Sequence, residues 1–333
     1  MILRVSKEEK KRLIRLAPHI FIGLLLLTLP IYTDLSIVSL FTKILIYGLL
    51  VMSLDLLVGY TGLLAFGHAA FFGIGAYTTG ILIKHYGITS FWLSAPAAVL
   101  MAVLAALVFG LVALRASAIY FLLITLAIGQ LIHGIVHTSA RPLGALTGGS
   151  DGLGGIPYPD IGFSFSFSPN SFYYFTFVIF IMCALLLYWI TKSPFGYSLQ
   201  GIRESEIRAR ALGYNTWLYR YIAFVIGGLF AGVAGVLYVH YNGFISPEGV
   251  GMGASGLLWL MLILGGSGTL WGGFIGGRII LSLQYFVSGF TPQRWPLILG
   301  VCFVGIIMFY RGGILPQLII FWKKMSHDGS LKG

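Results

Sequence analysis

A single hydrophilic segment, KSPFGYSLQGIRESEIRARALGYNTWLYR (192–220), interrupts a chain that is otherwise largely apolar. Of the 333 residues, 58% are hydrophobic and 9% are charged, and the mean hydropathy is +0.92. This composition is typical of a protein that crosses a lipid bilayer several times. A charged segment within such a chain must face water, so it marks one aqueous side of the membrane.

Apolar runs on both sides of this segment predict about ten membrane-spanning helices, since about 20 apolar residues suffice for one crossing. The run near 254–266 is short for a full crossing, and the glycines around it predict a broken or tilted element. Ten crossings leave no room for a separate soluble domain, so residues 1–333 are predicted to form one all-α transmembrane domain. The predicted crossings lie at about 16–31, 36–58, 62–83, 91–113, 118–138, 172–191, 218–240, 254–266, 271–290 and 296–311.

The basic residues predict the orientation of these crossings. With the N-terminus in the cytoplasm, sixteen of the 21 Lys and Arg residues fall on the cytoplasmic side and four fall near the outer side. This asymmetry follows the positive-inside rule. It places both termini and the loop at about 193–215 in the cytoplasm, and the Gly/Pro/Ser-rich loop at about 139–171 outside. It also accounts for the net charge of +11 without a nucleic-acid partner.

The N-terminus combines a basic start with a short apolar run, as a signal peptide does, but no small-residue cleavage site follows at 31–34. We therefore expect an uncleaved signal anchor. The outer loop contains the alternating stretch FSFSFS (163–168), which predicts a short strand or hairpin. We interpret this loop as a lid or a contact for an extracytoplasmic protein, with sealing of the helix ends as the alternative.

The hydrophilic segment carries the signals of a capped helix. Ser193 followed by Pro194 is typical of a helix start, with a hydroxyl cap and a first-turn proline. Gly213 and Asn215 mark its end. The sequence therefore predicts one cytoplasmic helix over about 193–215.

Two acid–base pairs are predicted within that helix, Glu204 with Arg208 and Glu206 with Arg210. Both have the i,i+4 spacing with the acid first, and each such pair contributes about 0.2–0.5 kcal/mol. One interpretation is a solvated linker between two groups of spans. A short connection would serve that purpose, so a capped, charge-paired helix favours a docking surface.

Two glycine-rich stretches about 200 residues apart resemble each other. GLLAFGHAAFFGIGAY (62–77) and LILGGSGTLWGGFIGG (262–277) both combine small residues and an aromatic residue at a helix start. Such residues permit close helix packing in lipid, which is the simpler interpretation. Transporters built from two related halves show the same pattern near the substrate path. We therefore predict two related halves, with the cytoplasmic helix between them.

Five stretches together resemble the permeases of ABC importers of the branched-chain amino acid class, and specifically their LivM-type subunits. The hydrophilic segment is one of them, and along the chain the five stretches occur in the same order as in that family. The similarity covers most of residues 47–311. The five are SPFGYSLQGIRESEIRARALGYN (193–215), GYTGLLAFGHAAFFGIGAYTTGIL (59–82), LTGGSDGLGGIP (146–157), AGVAGVLYVHYNGFISPE (231–248) and LILGGSGTLWGGFIGG (262–277).

This resemblance implies a multi-pass subunit of the cell membrane that carries branched-chain or similar small hydrophobic amino acids by alternating access. It implies a sister permease subunit, two ATP-binding subunits and an extracytoplasmic substrate-binding protein as partners. The residues expected to couple to the ATP-binding subunits are Ser193, Pro194, Phe195, Gly196, Glu204, Glu206 and Arg208. The residues expected along the translocation path are Gly67, His68, Gly73, Gly266 and Gly268.

Other functions lack their motifs. The chain contains no G-x-x-x-x-G-K-[ST] phosphate loop, so ATP and Mg²⁺ are expected in partner subunits and no cofactor is expected here. An ion-coupled secondary transporter would need its own coupling-ion site, and an intramembrane enzyme would need a polar catalytic cluster. Neither is evident, so we expect a transport subunit and not an enzyme. A urea or short-amide permease of the same architecture remains the alternative.

The ionisable residues within the spans are few. His68 is expected to hydrogen-bond between helices, with lining of the translocation path as the alternative. His133 and His137 have a metal-ligand spacing but no evident third ligand, so no metal site is predicted. Asp55 and Arg278 should face protein or water, and pairing with each other or with a partner subunit is left open.

Overall fold

The computed structural model describes residues 32–116, 118–140, 142–162, 167–290 and 312–317, with isolated positions at 28, 30, 297, 298, 300, 301, 304, 305 and 308. Over these residues the chain is a bundle of helices with one two-residue strand pair. The α-helices with described bounds are α1 (Leu35–Asp55), α2 (His68–Tyr86), α3 (Phe91–Ala113), α4 (Ala118–His137), α5 (Leu143–Thr147), α6 (Pro169–Lys192), α7 (Pro194–Glu204), α8 (Glu206–Ala211), α9 (Thr216–Asn242), α10 (Met252–Gly265) and α11 (Trp271–Phe290).

Short elements connect these helices. A π-helical turn, Leu56–Thr61, extends α1, and 3₁₀ turns cover Gly149–Asp151 and Pro247–Gly249. The strands β1 (Leu153–Gly154) and β2 (Phe244–Ile245) pair in antiparallel register. The predicted strand or hairpin at FSFSFS falls largely on residues outside the described ranges.

Six helical segments of the described ranges are long and apolar enough to cross a membrane. The all-α polytopic class is therefore confirmed. The predicted crossings at about 16–31 and 296–311 lie outside the described residues or reach them only at isolated positions, so the total of ten stays a prediction. The six segments are Leu35–Thr61, Phe91–Ala113, Ile119–His137, Pro169–Lys192, Thr216–Asn242 and Pro247–Gly265.

Two predicted spans have different bounds in the structure. The crossing expected at about 62–83 begins only at His68, because residues 62–67 form a loop that starts with Gly62 in a left-handed conformation. The short run near 254–266 corresponds to α10, whose 14 residues would rise about 21 Å. A loop with positive φ at Gly266, Gly268 and Leu270 separates α10 from α11, so this region is a broken element, as predicted.

The hydrophilic segment is not the single helix that the sequence predicts. Ser205 has an extended backbone, with φ −159° and ψ 102°, and divides it into α7 and α8. The predicted start is confirmed, since Pro194 is in the first turn and Ser193 Oγ accepts a hydrogen bond from the Gly196 N–H. Ser205 also caps α8, because its hydroxyl accepts from the Arg208 N–H at 3.3 Å. That second cap makes the break compatible with satisfied backbone groups.

Helix α9 crosses the centre of the bundle, and the contacts at its two ends show which loops lie at each end of the bundle. Its 27 residues would span about 40 Å. At its first end Thr216 contacts Glu206 of α8. At its other end His240 Nδ1 donates to the Pro157 carbonyl at 2.9 Å, beside the paired strands β1 and β2. The hydrophilic segment and the loop at 146–157 therefore lie at opposite ends of the bundle.

Glycines allow the helix backbones of the bundle to approach closely. A Cβ on Gly75 of α2 would collide with the backbone of Gly232 on α9, and a Cβ on Gly235 would collide with the backbone of Phe72. A Cβ on Gly276 of α11 would likewise collide with the backbone of Met261 on α10. Small residues of this kind let helices pack in lipid, where apolar side chains gain little by leaving one apolar medium for another.

Candidate translocation path and coupling surface

The start of the hydrophilic segment is packed against the bundle. The ring of Phe195 stacks on Tyr219 of α9 with centroids 5.5 Å apart. Gly196 is buried, and a Cβ there would meet the carbonyl groups at the end of α6. These residues, together with Ser193 and Pro194, therefore fix the angle at which the segment leaves α6.

Glu206 joins the second half of the segment to α9. Its carboxylate accepts from Arg210 at 2.5 Å and from Arg220 at 2.7 Å, and the Thr216 hydroxyl donates to it at 3.2 Å. The predicted Glu206–Arg210 pair is thus confirmed. The predicted Glu204–Arg208 pair is wrong, because the break at Ser205 removes the helical turn that would bring the two side chains together.

The pKa of Glu206 reflects this network. Partial burial raises the pKa, but the hydrogen bond and charge of Arg220, helped by Arg210 and Thr216, outweigh burial and hold the pKa below its usual value. A carboxylate with a lowered pKa in the folded chain stabilises the fold above its unfolded pKa and loses that contribution as the pH falls through the lowered value. At neutral pH the network is therefore formed.

The outward surface of the segment combines apolar and charged side chains. Ile207 and Leu212 are 83% and 78% exposed. Glu204 and Arg208 are exposed beside them. Exposed large apolar side chains on a segment rich in charged residues are typical of an interaction surface, and Ile207 and Leu212 are the most exposed of those in this segment. We call these four residues the outward surface of the segment.

Asp55, the last residue of α1, lies at the same end of the bundle as the hydrophilic segment and binds a neighbouring loop. Its carboxylate accepts from the backbone N–H groups of Gly268 at 2.6 Å and Leu270 at 2.8 Å, so it holds the loop between α10 and α11. Leu270 has φ +57°, a conformation that is costly for a residue with a side chain. The two hydrogen bonds to a buried carboxylate offset that cost.

Arg278 is not the partner of Asp55. Its guanidinium lies over the ring of Phe41 on α1, 5.8 Å from the centroid, and the residue is exposed. Of the pairings left open by the sequence, the one between Asp55 and Arg278 is therefore wrong. Arg203 of α7 comes to this region instead, where its guanidinium donates to the carbonyl oxygen of Gly59.

His68 forms the interhelical hydrogen bond that its position predicts. Its Nε2 lies 2.8 Å from Ser53 Oγ on α1, and the residue is 1% exposed. With the Ser53 hydroxyl proton directed to the Leu50 carbonyl, 2.7 Å away, His68 Nε2–H is the donor to Ser53. The Nδ1 atom of His68 is then an acceptor, and it has no hydrogen-bond partner in the structure.

A narrow crevice lies beside this imidazole, between α2, α4 and α9. It is apolar except for His68 and Thr125, and the Thr125 hydroxyl accepts from the Phe66 N–H at 3.1 Å. In this conformation the crevice is closed, with no room for a water molecule, so His68 Nδ1 is a buried acceptor in an apolar wall. The lining residues are Ala65, Gly67, His68, Phe71, Thr125, Ile128 and Phe224.

The residues predicted along the path do not form one cluster. Gly67 and His68 border the crevice, whereas Gly73 packs against Val250. Gly266 and Gly268 belong to the loop held by Asp55. Ser53 and Asp55 are two residues apart on α1, so they point about 200° apart around its axis. The crevice and the loop therefore lie on opposite sides of α1.

The remaining reactive side chains form no site in the described ranges. The rings of His133 and His137 stack with centroids 5.4 Å apart. Among the described residues no group of three His, Cys, Asp or Glu side chains is arranged to hold a metal ion. Cys183 is buried in α6, and Cys302 lies outside the described residues.

Replacing Asp55 should loosen the loop between α10 and α11. In Asp55→Ala two buried N–H groups lose their acceptor, and we expect a loss of about 1–3 kcal/mol of stability for each lost bond. Asp55→Asn keeps one amide oxygen and should lose less. The measurement is thermal unfolding of the purified protein in detergent. Asp160→Ala is the control, because Asp160 accepts the Gly162 N–H at an exposed turn. Equal unfolding temperatures for both alanine variants would contradict the role of Asp55.

Comparison with known proteins identifies the family of this bundle. The model of the family described as "Branched-chain amino acid transport system / permease component" matches residues 36–310. The chain is 28% identical over 311 residues to the high-affinity branched-chain amino acid transport system permease protein LivM of Escherichia coli (strain K12), with 86% of this chain and 72% of that protein covered.

Two other relatives extend this comparison. The probable branched-chain amino acid transport permease protein LivH of Methanocaldococcus jannaschii is 25% identical over 290 residues, which cover 84% of this chain and 90% of the relative. The autoinducer 2 import system permease protein LsrC of Salmonella typhi is 29% identical over 138 residues, 39% of this chain and 40% of the relative. No solved structure matches the chain significantly. The match over most of its length shows that this chain belongs to the branched-chain amino acid transport permease family, the membrane permease subunits of ABC importers.

Proposed function

We propose that this permease subunit carries branched-chain or similar small hydrophobic amino acids across the cell membrane by alternating access, driven by ATP hydrolysis in two separate subunits. The observation that carries the proposal is the family match over residues 36–310. The names of LivM and LivH, which align with most of this chain, support the substrate class. A sister permease and an extracytoplasmic binding protein, which would supply substrate affinity, complete the proposed importer.

The outward surface of the hydrophilic segment is the proposed contact with an ATP-binding subunit. Ile207 and Leu212 project from it with little contact to the bundle. The inner side of the segment is joined to α9 by Glu206 and Phe195. A segment that is attached to the bundle on one side and exposes both apolar and charged side chains on the other suits a partner that docks on it and moves it. Glu206 supports the segment from within, so the outward surface, and not Glu206, makes the docking contact.

The crevice beside His68 is the proposed passage for substrate. The crevice is closed in this structure, so the proposal requires it to open during alternating access. His68 Nδ1 would then accept from the ammonium group of an amino acid, while Phe71, Ile128 and Phe224 would contact an aliphatic side chain. A weak site of this kind suffices, because the binding protein would deliver the substrate. The opposite end of the bundle, with β1 and β2, is the proposed contact with that binding protein.

The proposed orientation can be tested with cysteine labelling. In a background of Cys183→Ser and Cys302→Ser, we expect Ala211→Cys to be protected from an impermeant thiol reagent in intact cells and Ser150→Cys to be labelled. Both positions are exposed at opposite ends of the bundle, so they form a matched pair. The Lys/Arg asymmetry is the physical basis. Labelling of residue 211 in intact cells would show that the orientation is opposite to the one proposed.

Polar substitution of the outward surface should weaken docking. Ile207→Ser together with Leu212→Ser removes two apolar anchors, and we expect the dissociation constant for the ATP-binding subunits to rise at least tenfold, since such anchors contribute about 1–3 kcal/mol each. Leu143→Ser is the control, because Leu143 is an exposed apolar residue at the opposite end. Unchanged association of the double variant would show that the segment is only a linker.

The same reconstituted complexes test the energy source and substrate. The wild-type complex should accumulate labelled leucine when ATP is present. Unlabelled isoleucine and valine should inhibit this uptake, and urea should not. The purified chain alone should neither hydrolyse ATP nor accumulate substrate. Uptake by the chain alone, driven by an ion gradient, would identify a secondary transporter, and competition by urea would favour the amide permease.

His68 should affect transport more than assembly. We expect His68→Ala to lower leucine uptake at least tenfold with normal membrane levels and normal binding of ATP-binding subunits. His68→Gln, which can keep the bond to Ser53 and one free acceptor, should retain part of the uptake. His85→Ala is the control, since His85 contacts the Leu146 carbonyl at the exposed end of α2. Uptake at the wild-type level by His68→Ala would show that His68 does not take part in substrate passage.

A further inference from the structure

We propose that Arg203 is the positioning residue that transmits movement of the hydrophilic segment to the helix ends around Asp55. This inference rests on the proposed function of the segment as a docking surface. Arg203 lies in the last turn of α7, at the break before Ser205. The residue is exposed, and its guanidinium donates to a backbone carbonyl of the π-helical turn that extends α1. It therefore connects the surface that a partner would move with the spans that must respond.

Two segments that are distant from α7 in the chain meet at this side chain, residues 59–62 and the loop that contains Gly268. The guanidinium donates to the Gly59 carbonyl in the last turn of the π-helical extension of α1, where carbonyl groups lack intrahelical partners. Its aliphatic part covers Gly62, since a Cβ on Gly62 would lie 3.0 Å from Arg203 Cγ. A Cβ on Gly268 would lie 3.2 Å from Arg203 Nη1. We call the contacts of Arg203 with Gly59, Gly62 and Gly268 the Arg203 clamp.

Asp55 connects the Arg203 clamp to the loop between α10 and α11. Gly268 is contacted from two sides, by Arg203 at its Cα side and by the Asp55 carboxylate at its N–H. A Cβ on Gly59 would collide with both Asp55 and Gly268, so these three residues are in direct contact. Arg203 therefore links α7 to α1 and to the loop between α10 and α11 without passing through α9, and it does so beside the direct packing of α7 on the π-helical turn.

The geometry also explains why the residues around Arg203 are small. A guanidinium can reach a backbone carbonyl only where the intervening residues leave room, and Gly59, Gly62 and Gly268 leave that room. A π-helical turn such as Leu56–Thr61 is rare and is found frequently at functional sites. The clamp thus joins the segment to a part of α1 whose helical geometry already differs from the rest.

The first experiment separates transmission from stability. In the reconstituted complex we expect Arg203→Ala to bind the ATP-binding subunits normally and to hydrolyse ATP within about twofold of wild type, while leucine uptake per ATP falls at least tenfold. Arg203→Lys keeps a donor without the planar fork and should give an intermediate ratio. Arg115→Ala, an exposed arginine at another turn, is the matched control. An unchanged ratio, or a parallel loss of association and uptake, would overturn the inference.

A disulfide can replace the clamp. The Cβ positions of residues 62 and 203 are 3.7 Å apart, a distance suited to a disulfide bond. In the background without Cys183 and Cys302, Gly62→Cys with Arg203→Cys should recover uptake when oxidised and lose it when reduced. Gly62→Cys alone controls for the left-handed backbone at that position. A disulfide that forms and blocks uptake would show that the two segments separate during transport, which contradicts the clamp.

Failure of the proposed function gives a different result. If the wild-type complex does not transport, that proposal is wrong, and the clamp is then measured by amide hydrogen exchange. Arg203→Ala should raise the exchange rate over residues 266–270 at least tenfold relative to Arg115→Ala, because the loop loses its contact with α7. Equal exchange in the two variants would overturn the clamp independently of any transport assay.

Discussion

Close approach of helix backbones at glycine holds this bundle together. In lipid an apolar side chain gains little by packing against another helix, so association depends on contact area and on backbone proximity. Gly75 against Gly232 joins α2 to α9, and Gly276 against Met261 joins α11 to α10. A side chain at either glycine would enter the neighbouring backbone. The glycine-rich stretches are therefore packing surfaces first, and the sites described above lie between helices whose spacing these surfaces set.

Helix α1 is the element that relates the two polar regions of the bundle. On one side Ser53 holds His68 beside the crevice, and on the opposite side Asp55 holds the loop that contains Gly268. Buried polar groups cost free energy unless they are hydrogen-bonded, and these bonds satisfy them within the protein. Because α1 is one continuous helix that touches both regions, a shift at its π-helical end can reach the crevice. Arg203 contacts that end.

The helices and the family could be predicted from sequence because both signals are local. Hydrophobic runs specify spans, and Ser193 with Pro194 specifies a helix start. The break at Ser205 could not be predicted in the same way. Paired charges within a helix contribute only tenths of a kcal/mol, whereas Glu206 gains Arg220 as a partner only after α9 is in place. The tertiary contact therefore outweighed the local pattern.

The sequence by itself determined the membrane class, the approximate spans, the capped start of the segment and the family, because composition and short motifs carry that information. Only the tertiary structure decided the partners of Asp55 and His68 and the contacts of Arg203. Asp55 bonds to Gly268, 213 residues away, and Arg203 bonds to Gly59, 144 residues away. In both cases one partner is a backbone group: every residue type has the carbonyl, and every type except proline has the N–H. No sequence pattern predicts such a contact, because it forms only when packing brings the two segments together.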